Sequence, residues 1–136
     1  MFSLAWFQPF FEGLFFGVVA MLLHESGHIA AALLLGIRVK SVRLGWKGLY
    51  TVREMGTPAE NLFISLAGPC TNLLLLLLWR FSQDLFLANL CYGVVNLLPI
   101  QASDGERVLR LLKQMRSAKA AGADAPHADT LSSGGR

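Results

Sequence analysis

The sequence predicts a mainly α-helical, integral membrane fold: three transmembrane helices, the third broken near its end, plus a short membrane-associated β-hairpin and a C-terminal amphipathic helix. Three observations lead there. Of 136 residues, 54% are hydrophobic and 15% charged, where ordinary soluble domains carry about a quarter charged residues. The apolar residues gather into three runs separated by short polar stretches. The basic residues gather in two segments, one between the first two runs and one after the third.

Each element follows from its local pattern. Residues 1–9 are aromatic-rich and end in Pro9, which suits an interfacial lead-in and a helix start. Phe10 to about Leu35 is the first span. The first basic residue is Arg38, so no basic region precedes this run as it would in a secretory signal. Residues 38–58, "RVKSVRLGWKGLYTVREMGTP", alternate polar and apolar around Gly45 and Gly48 and predict the hairpin. Residues 60–79 form the second span and residues 85–100 a shorter third. Glu106 to about Lys119 is a basic amphipathic helix with Val108, Leu111, Leu112 and Met115 on one face. The small, polar end of the chain reads as disordered. The expected organisation is a membrane-embedded core over 1–116 and a tail over 117–136. No internal repeat is visible. Cys70 and Cys91 lie in apolar runs and read as small buried hydrophobes, with no disulfide framework.

Charge sets the orientation. Arg38, Lys40, Arg43, Lys47 and Arg53 lie between spans one and two, and Arg107, Arg110, Lys113, Arg116 and Lys119 follow span three. Only Arg80 lies between spans two and three. By the positive-inside rule the hairpin and the C-terminus are cytoplasmic and the N-terminus is outside. The net charge of +3 is thereby explained by topology and lipid contact, and a nucleic-acid partner is not expected. A multi-pass protein of a prokaryotic cytoplasmic membrane fits best.

The stretch "LLHESGHIAA", residues 22–31, breaks the apolar pattern. An ionised residue at the centre of a membrane helix costs roughly 2.5–3.5 kcal/mol on the insertion scale, so such groups mark function. His24 and His28 stand one turn apart on one helical face, which suits two imidazoles on one metal ion. Glu25, on the neighbouring face, can reach a metal-bound water as a general base. This is the HExxH arrangement of zinc hydrolases.

A catalytic zinc usually has a third protein ligand. His127 lies in the tail, Glu12 is about three turns from the histidines, and Asp84 sits at the outer end of span three. Cys70 and Cys91 remain open. Geometry favours Asp104. The histidines lie roughly 20–27 Å below the start of span one, and span three reaches Pro99 after roughly 21 Å. Proline disfavours helix there, and irregular backbone at membrane depth persists only where protein buries it or it lines a wet cavity. A broken segment ending in Asp104 at that depth suits ligand delivery. Gly105 lets the chain turn closely behind it.

Span two contributes "AGPCTN", residues 67–72. Gly68 and Pro69 mark a kink or a close helix contact. Asn72 and Asn96 are amides in apolar surroundings, and each needs partners. They are read either as glue between helices or as groups that hold an extended substrate and steady a polarised carbonyl oxygen.

With "HESGH" at 24–28, "AGPCTN" at 67–72 and "NLLPIQASDG" at 96–105, the chain resembles the site-2 protease family of intramembrane zinc metalloproteases, in a minimal three-span core form. The likeness covers roughly residues 10–110. It implies one Zn2+ per chain held by His24, His28 and Asp104, with Glu25 as the base and Asn72 and Asn96 lining the site. It also implies that residues 38–58 are the family's membrane-associated hairpin, which presents substrates as strands. The stretch Ile100–Ser103 lacks the prolines common in the family, and Glu106 stands where a second glycine is usual.

The expected function is zinc-dependent hydrolysis of peptide bonds within or near transmembrane segments of membrane-protein substrates. The alternative is a non-proteolytic zinc-binding membrane protein or regulatory partner of similar fold, against which the presence of Glu25 argues. With no regulatory domain within the sequence, gating falls to the hairpin, to self-association or to a membrane partner.

Overall fold

In the computed structural model, which describes residues 7–45, 48–78 and 80–123, the first apolar run is one helix, α1 (Gln8–Leu34), with Pro9 in its first turn. Its 27 residues span about 40 Å. It stops at Gly36, whose φ of +71° suits a residue without a side chain. The Gly36 N–H donates to the Leu33 carbonyl at 3.0 Å and the Ile37 N–H to that of Ala32 at 2.8 Å. These two bonds form a Schellman motif. Ile37 then packs on the small apolar cluster of Ala31, Ala32 and Ile64.

The chain leaves that cap directly into the hairpin. Strand β1 (Val39–Gly45) pairs antiparallel with β2 (Gly48–Arg53), with Val42 opposite Thr51 and Leu44 opposite Leu49. A register shift between Val39 and Ser41 leaves one extra residue there, a bulge that increases the local twist. The strands thus occupy 39–53 of the expected 38–58. Residues 54–57 lead instead to the next helix. Of the two strands, β2 makes the greater contact with α1.

Thr57 starts α2 (Pro58–Leu75) with a complete capping box, its hydroxyl paired to the Glu60 backbone and the Glu60 carboxylate to the Thr57 N–H. A single 3₁₀ turn, Leu76–Leu78, continues it. Ser82 caps α3 (Gln83–Leu97) through the Leu85 N–H. The final helix is α4 (Asp104–Ala123). It packs chiefly on α2.

Two differences from the sequence reading concern length. Helix α1 and the Pro58–Leu78 stretch are long and apolar enough to cross a membrane. Helix α3 has 15 residues, where about 20 are needed to cross a hydrocarbon core, because Pro99 lies just past its end and fixes an extended Leu98. The last helix also runs further than expected at both ends. It starts at Asp104 rather than Glu106, and residues 117–123, assigned above to the tail, are helical. The run "SAKAAGA" is rich in alanine, the strongest helix former. The rest of the tail, 124–136, and with it His127, lies outside the described residues.

The burial pattern is inverted relative to a water-soluble core. Buried side chains include His24, Glu25, His28, Asn61, Ser65, Asn72, Asn89 and Asp104, whereas Phe10, Phe11, Leu14, Phe15, Leu22, Leu74 and Leu77 are exposed. Helix contact therefore relies on small residues. A Cβ on Gly27 would strike the Thr71 hydroxyl and come within 2.8 Å of the Ala67 carbonyl oxygen. Gly27→Val is expected to destabilise the fold by about 1–3 kcal/mol, read by denaturant unfolding in mild detergent. Wild-type stability would show that α1 and α2 have room to spare.

Candidate metal centre

His24 and His28 sit one turn apart on α1 with their rings edge to face, centroids 4.7 Å apart. Their Nε2 atoms are 3.1 Å apart, and Asp104 Oδ2 lies 2.9 Å from the first and 3.1 Å from the second. Two side chains one helical turn apart and a third from about 80 residues on thus present one triangle of potential ligand atoms.

The link after α3 is built to deliver Asp104. Beyond Pro99, the Ile100 N–H turns back to the Leu98 carbonyl at 2.7 Å. Ala102 adopts a left-handed φ of +70°. Ser103 Oγ then accepts from the Glu106 N–H at 3.1 Å and donates to the Leu98 carbonyl at 2.6 Å. Glu106 Oε2 accepts from the Ala102 N–H at 2.6 Å. This is a serine–glutamate cap of α4, and it gives Glu106 a structural role. Gly105 passes over the end of α3, where a Cβ would collide with the Leu97 carbonyl and stand 2.7 Å from that of Leu98.

The other ring nitrogens settle where the protons are. His28 Nδ1 lies 2.6 Å from the Ile64 carbonyl oxygen, which can only accept, so Nδ1 carries the hydrogen. His24 Nδ1 lies 2.7 Å from Asn72 Oδ1. The amide's orientation follows from its nitrogen, which donates to the Ala20 carbonyl at 3.0 Å and to Asn89 Oδ1 at 2.8 Å. Asn89 Nδ2 in turn donates to the Leu85 carbonyl at 2.8 Å. The chain of amides therefore begins on a backbone carbonyl of α3 and ends by fixing the His24 tautomer. Both amides are 0% exposed.

Since each Nδ1 donates a hydrogen, the neutral form of either imidazole has its lone pair at Nε2, and the two Nε2 atoms and Asp104 Oδ2 converge within 3.1 Å of one another. Such a cluster calls for a cation. Ligands at about 2.0–2.1 Å in a tetrahedral shell stand roughly 3.3–3.4 Å apart, and the observed 2.9, 3.1 and 3.1 Å form a slightly contracted version of that face. Two imidazoles and one carboxylate are a zinc donor set, and the Nδ1 hydrogen bonds are the outer support that such ligands have. The residues fit the ion.

Glu25 also comes within 4.8 Å of both histidine ligand atoms. Its Oε2, however, accepts from the Thr51 hydroxyl of β2 at 2.9 Å, which draws the carboxylate toward the hairpin. Of the two carboxylates, that of Asp104 lies closer to the imidazole nitrogens, at 2.9 and 3.1 Å. The cavity over these groups has a volume of about 470 Å³ and is walled by β2, by Tyr92 and Asn96 of α3, and by Arg107 of α4. Tyr92 sets its ring edge against His24, centroids 5.2 Å apart. Arg53, also in the wall, donates to Asn61 Oδ1 at 2.7 Å. Burial, then the charge of Arg107, holds its guanidinium below the usual range.

The residues singled out in the sequence divide accordingly. His24, Glu25, His28, Asp104 and Asn96 all line the cavity. Asn72 is not among the residues lining it, and its amide is engaged behind His24 with that ring, the Ala20 carbonyl and Asn89. Asn96 Nδ2 donates to the Tyr92 carbonyl at 2.9 Å. The open alternatives, Cys70 and Cys91, are exposed rather than buried, which also corrects their reading as core residues. Glu12 and Asp84 line a separate pocket. Asn89, Thr51 and Tyr92 were not foreseen. Asn89 carries a signal of the same kind as Asn72, a lone amide in an apolar run, whereas Thr51 and Tyr92 carry none.

No protein-family model matches the chain. It is 32% identical over 127 residues to the curated "Putative zinc metalloprotease MJ0611" of Methanocaldococcus jannaschii, a match covering 78% of this chain and 56% of that protein. The chain thus spans little more than half the length of that relative. The likeness and the buried His24–Glu25–His28 group together support zinc metalloprotease chemistry.

Two substitutions away from the donor atoms test this geometry. Asn89→Leu removes the acceptor for Asn72 and is expected to weaken zinc binding by about 10–100-fold, as loss of outer-shell support commonly does. Competition with a chromogenic chelator measures it, and unchanged affinity would show that the amide chain is mere helix glue. Gly68→Ala puts a methyl group against His28 and 2.8 Å from His24 Nε2, and should abolish stoichiometric zinc.

Proposed function

We propose that this chain is the core of an intramembrane zinc metalloprotease of the site-2 type, hydrolysing peptide bonds in or near transmembrane segments of membrane proteins. The observation that carries the reading is the convergence of His24 Nε2, His28 Nε2 and Asp104 Oδ2 within 3.1 Å of one another, beside the Glu25 carboxylate. The likeness to a protein described as a zinc metalloprotease supports the chemistry. The inverted burial and the two long apolar helices support the membrane setting. In this reading α3 is a third, short crossing, with the N-terminus outside and the hairpin and C-terminus in the cytoplasm of a prokaryotic cell. A homo-oligomer or a membrane partner gates the site, and nucleic acid plays no part.

Zinc, when bound by His24, His28 and Asp104, supplies Lewis acidity that brings a water toward neutral pKa and polarises a carbonyl. The residues do the rest. Glu25 takes the water's proton and later passes it to the leaving amine. Thr51 holds Glu25 Oε2 and so leaves the other carboxylate oxygen for the proton. Asn96, which lines the cavity, holds the substrate backbone. Asn72 and Asn89 keep His24 aimed. Ala102 and the hairpin confine the opening, so a transmembrane substrate must unwind locally to enter.

Zinc content of the purified protein in mild detergent is the first check, beside Asp104→Ala. About one zinc per chain, lost or much weakened in the variant, is expected. Protein that folds but stays metal-free with zinc supplied would end the reading. Glu25→Gln should keep zinc yet lose at least about a hundredfold in cleavage rate. A variant that loses no biological activity would instead favour the non-proteolytic zinc protein.

A further inference from the structure

The wall of the metal cavity carries two arginines that the mechanism does not use. Arg53 comes from the end of β2 and Arg107 from the first turn of α4, and both line the same cavity. Arg53 is partly buried and built into place. Its Nη1 donates to Asn61 Oδ1 at 2.7 Å and to the Glu54 carbonyl at 3.2 Å. The Asn61 amide is itself oriented by donating to the Gly56 carbonyl at 2.6 Å. Both acceptors are neutral, so the guanidinium charge is not cancelled. Arg107 has Asp104 as its ion partner, but only at 3.8 Å, and through the carboxylate oxygen that does not face the histidines. Among the described residues, then, neither guanidinium is closely paired with a carboxylate. Burial, and after it the charge of Arg107, acts on the Arg53 guanidinium.

Two like charges that line one cavity, Arg53 partly buried and Arg107 exposed, raise its electrostatic energy. An anion between them lowers it, and arginine's planar fork suits carboxylates in particular. A plain surface role fits Arg110 better, which pairs with Glu106 at 2.7 Å. The 3.8 Å approach of Arg107 to Asp104 puts the anion site next to the reacting centre, within one or two residues of a bond cut there.

We propose that Arg53 and Arg107 form a carboxylate-binding subsite, so that the favoured substrates carry an acidic residue next to the cleaved bond. This rests on the proteolytic reading for its substrate, but binding is testable without cleavage. The probes are two fluorescent transmembrane peptides that differ only in Asp or Asn at the position flanking the cut. Binding is measured with full-length, zinc-loaded Glu25→Gln protein in nanodiscs of phosphatidylcholine. The Asp peptide is expected to bind about tenfold tighter, the value of one good charge-assisted hydrogen-bond pair. Arg53→Gln and Arg107→Gln should each bring that ratio toward one, and Arg53→Lys should restore only part of it, since an ammonium lacks the fork.

Equal binding of the two peptides, or a preference that survives both substitutions, would overturn the subsite. Arginine-dependent binding of phosphatidylglycerol without any Asp preference would also overturn it, by assigning the pair to lipid. An Asp preference that depends on the arginines, in a protein that cleaves neither peptide with Glu25 intact, would uphold the subsite and remove the protease. Cleavage without the preference would do the reverse.

Discussion

The hydrogen bond between His24 Nδ1 and Asn72 Oδ1, 2.7 Å long and buried from end to end, is the constraint around which the three helices α1, α2 and α3 are arranged. Asn72 has one oxygen and one amino group. Its oxygen serves α1 through His24, and its nitrogen serves α1 again through the Ala20 carbonyl and α3 through Asn89. An amide placed so is satisfied only when all three helices are in register. Each of its partners left unpaired would cost about 1–3 kcal/mol. The same bond decides which His24 nitrogen offers a lone pair. Helix packing and ligand chemistry are thus one interaction, not two.

That arrangement explains why the interior is polar and the packing residues small. With Phe and Leu side chains directed outward, little apolar surface is left to draw the helices together. Close backbone approach and buried hydrogen bonds take over that role. Gly27 brings α1 onto α2, Gly68 gives the imidazoles their space, and Gly93 sits against Asn72 Cβ at 3.2 Å as measured from its own missing Cβ. At Gly68 and Gly93 the space a side chain would fill is occupied by the imidazoles and by Asn72. Stability and site geometry draw on the same few positions, so they cannot be varied independently.

Much of this was legible in the residues. The two histidines at helical spacing, the glutamate between them, and Pro99 followed at a distance by Asp104 each carry a local signal, and the structure brings those side chains to one cavity. The helix runs and the hairpin were legible because apolar periodicity and turn glycines are local too. What was not legible depends on partners from elsewhere. Whether Asn72 faces substrate or supports a ligand is decided by Asn89, on another helix. Thr51 is an ordinary strand residue until β2 lies on α1 beside Glu25. The ends of α4 were missed because an alanine-rich stretch was weighed by its polarity rather than its helix propensity, and because the cap at Ser103 needs Glu106 to be read as a partner three residues on.

The loop before Asp104 is held in place without a proline of its own. Prolines there would stiffen the chain by restricting φ. This sequence has none between Ile100 and Ser103, and it places Ala102 in the left-handed region, at a cost of roughly 1–2 kcal/mol for a residue with a side chain. The Ser103–Glu106 cap contributes about 0.5–2 kcal/mol of the opposite sign. The Ala102 N–H is itself held by the Glu106 carboxylate at 2.6 Å, so the strained residue and the cap stabilise each other. Ser103, through its bond to the Leu98 carbonyl, ties the whole turn to the end of α3. Asp104 follows immediately, at the first position of a helix whose axis is set by that tie and by the closeness that Gly105 allows. A carboxylate on such a turn has little freedom left. The fold itself positions it, and the entropy that a flexible loop would keep is lost in folding.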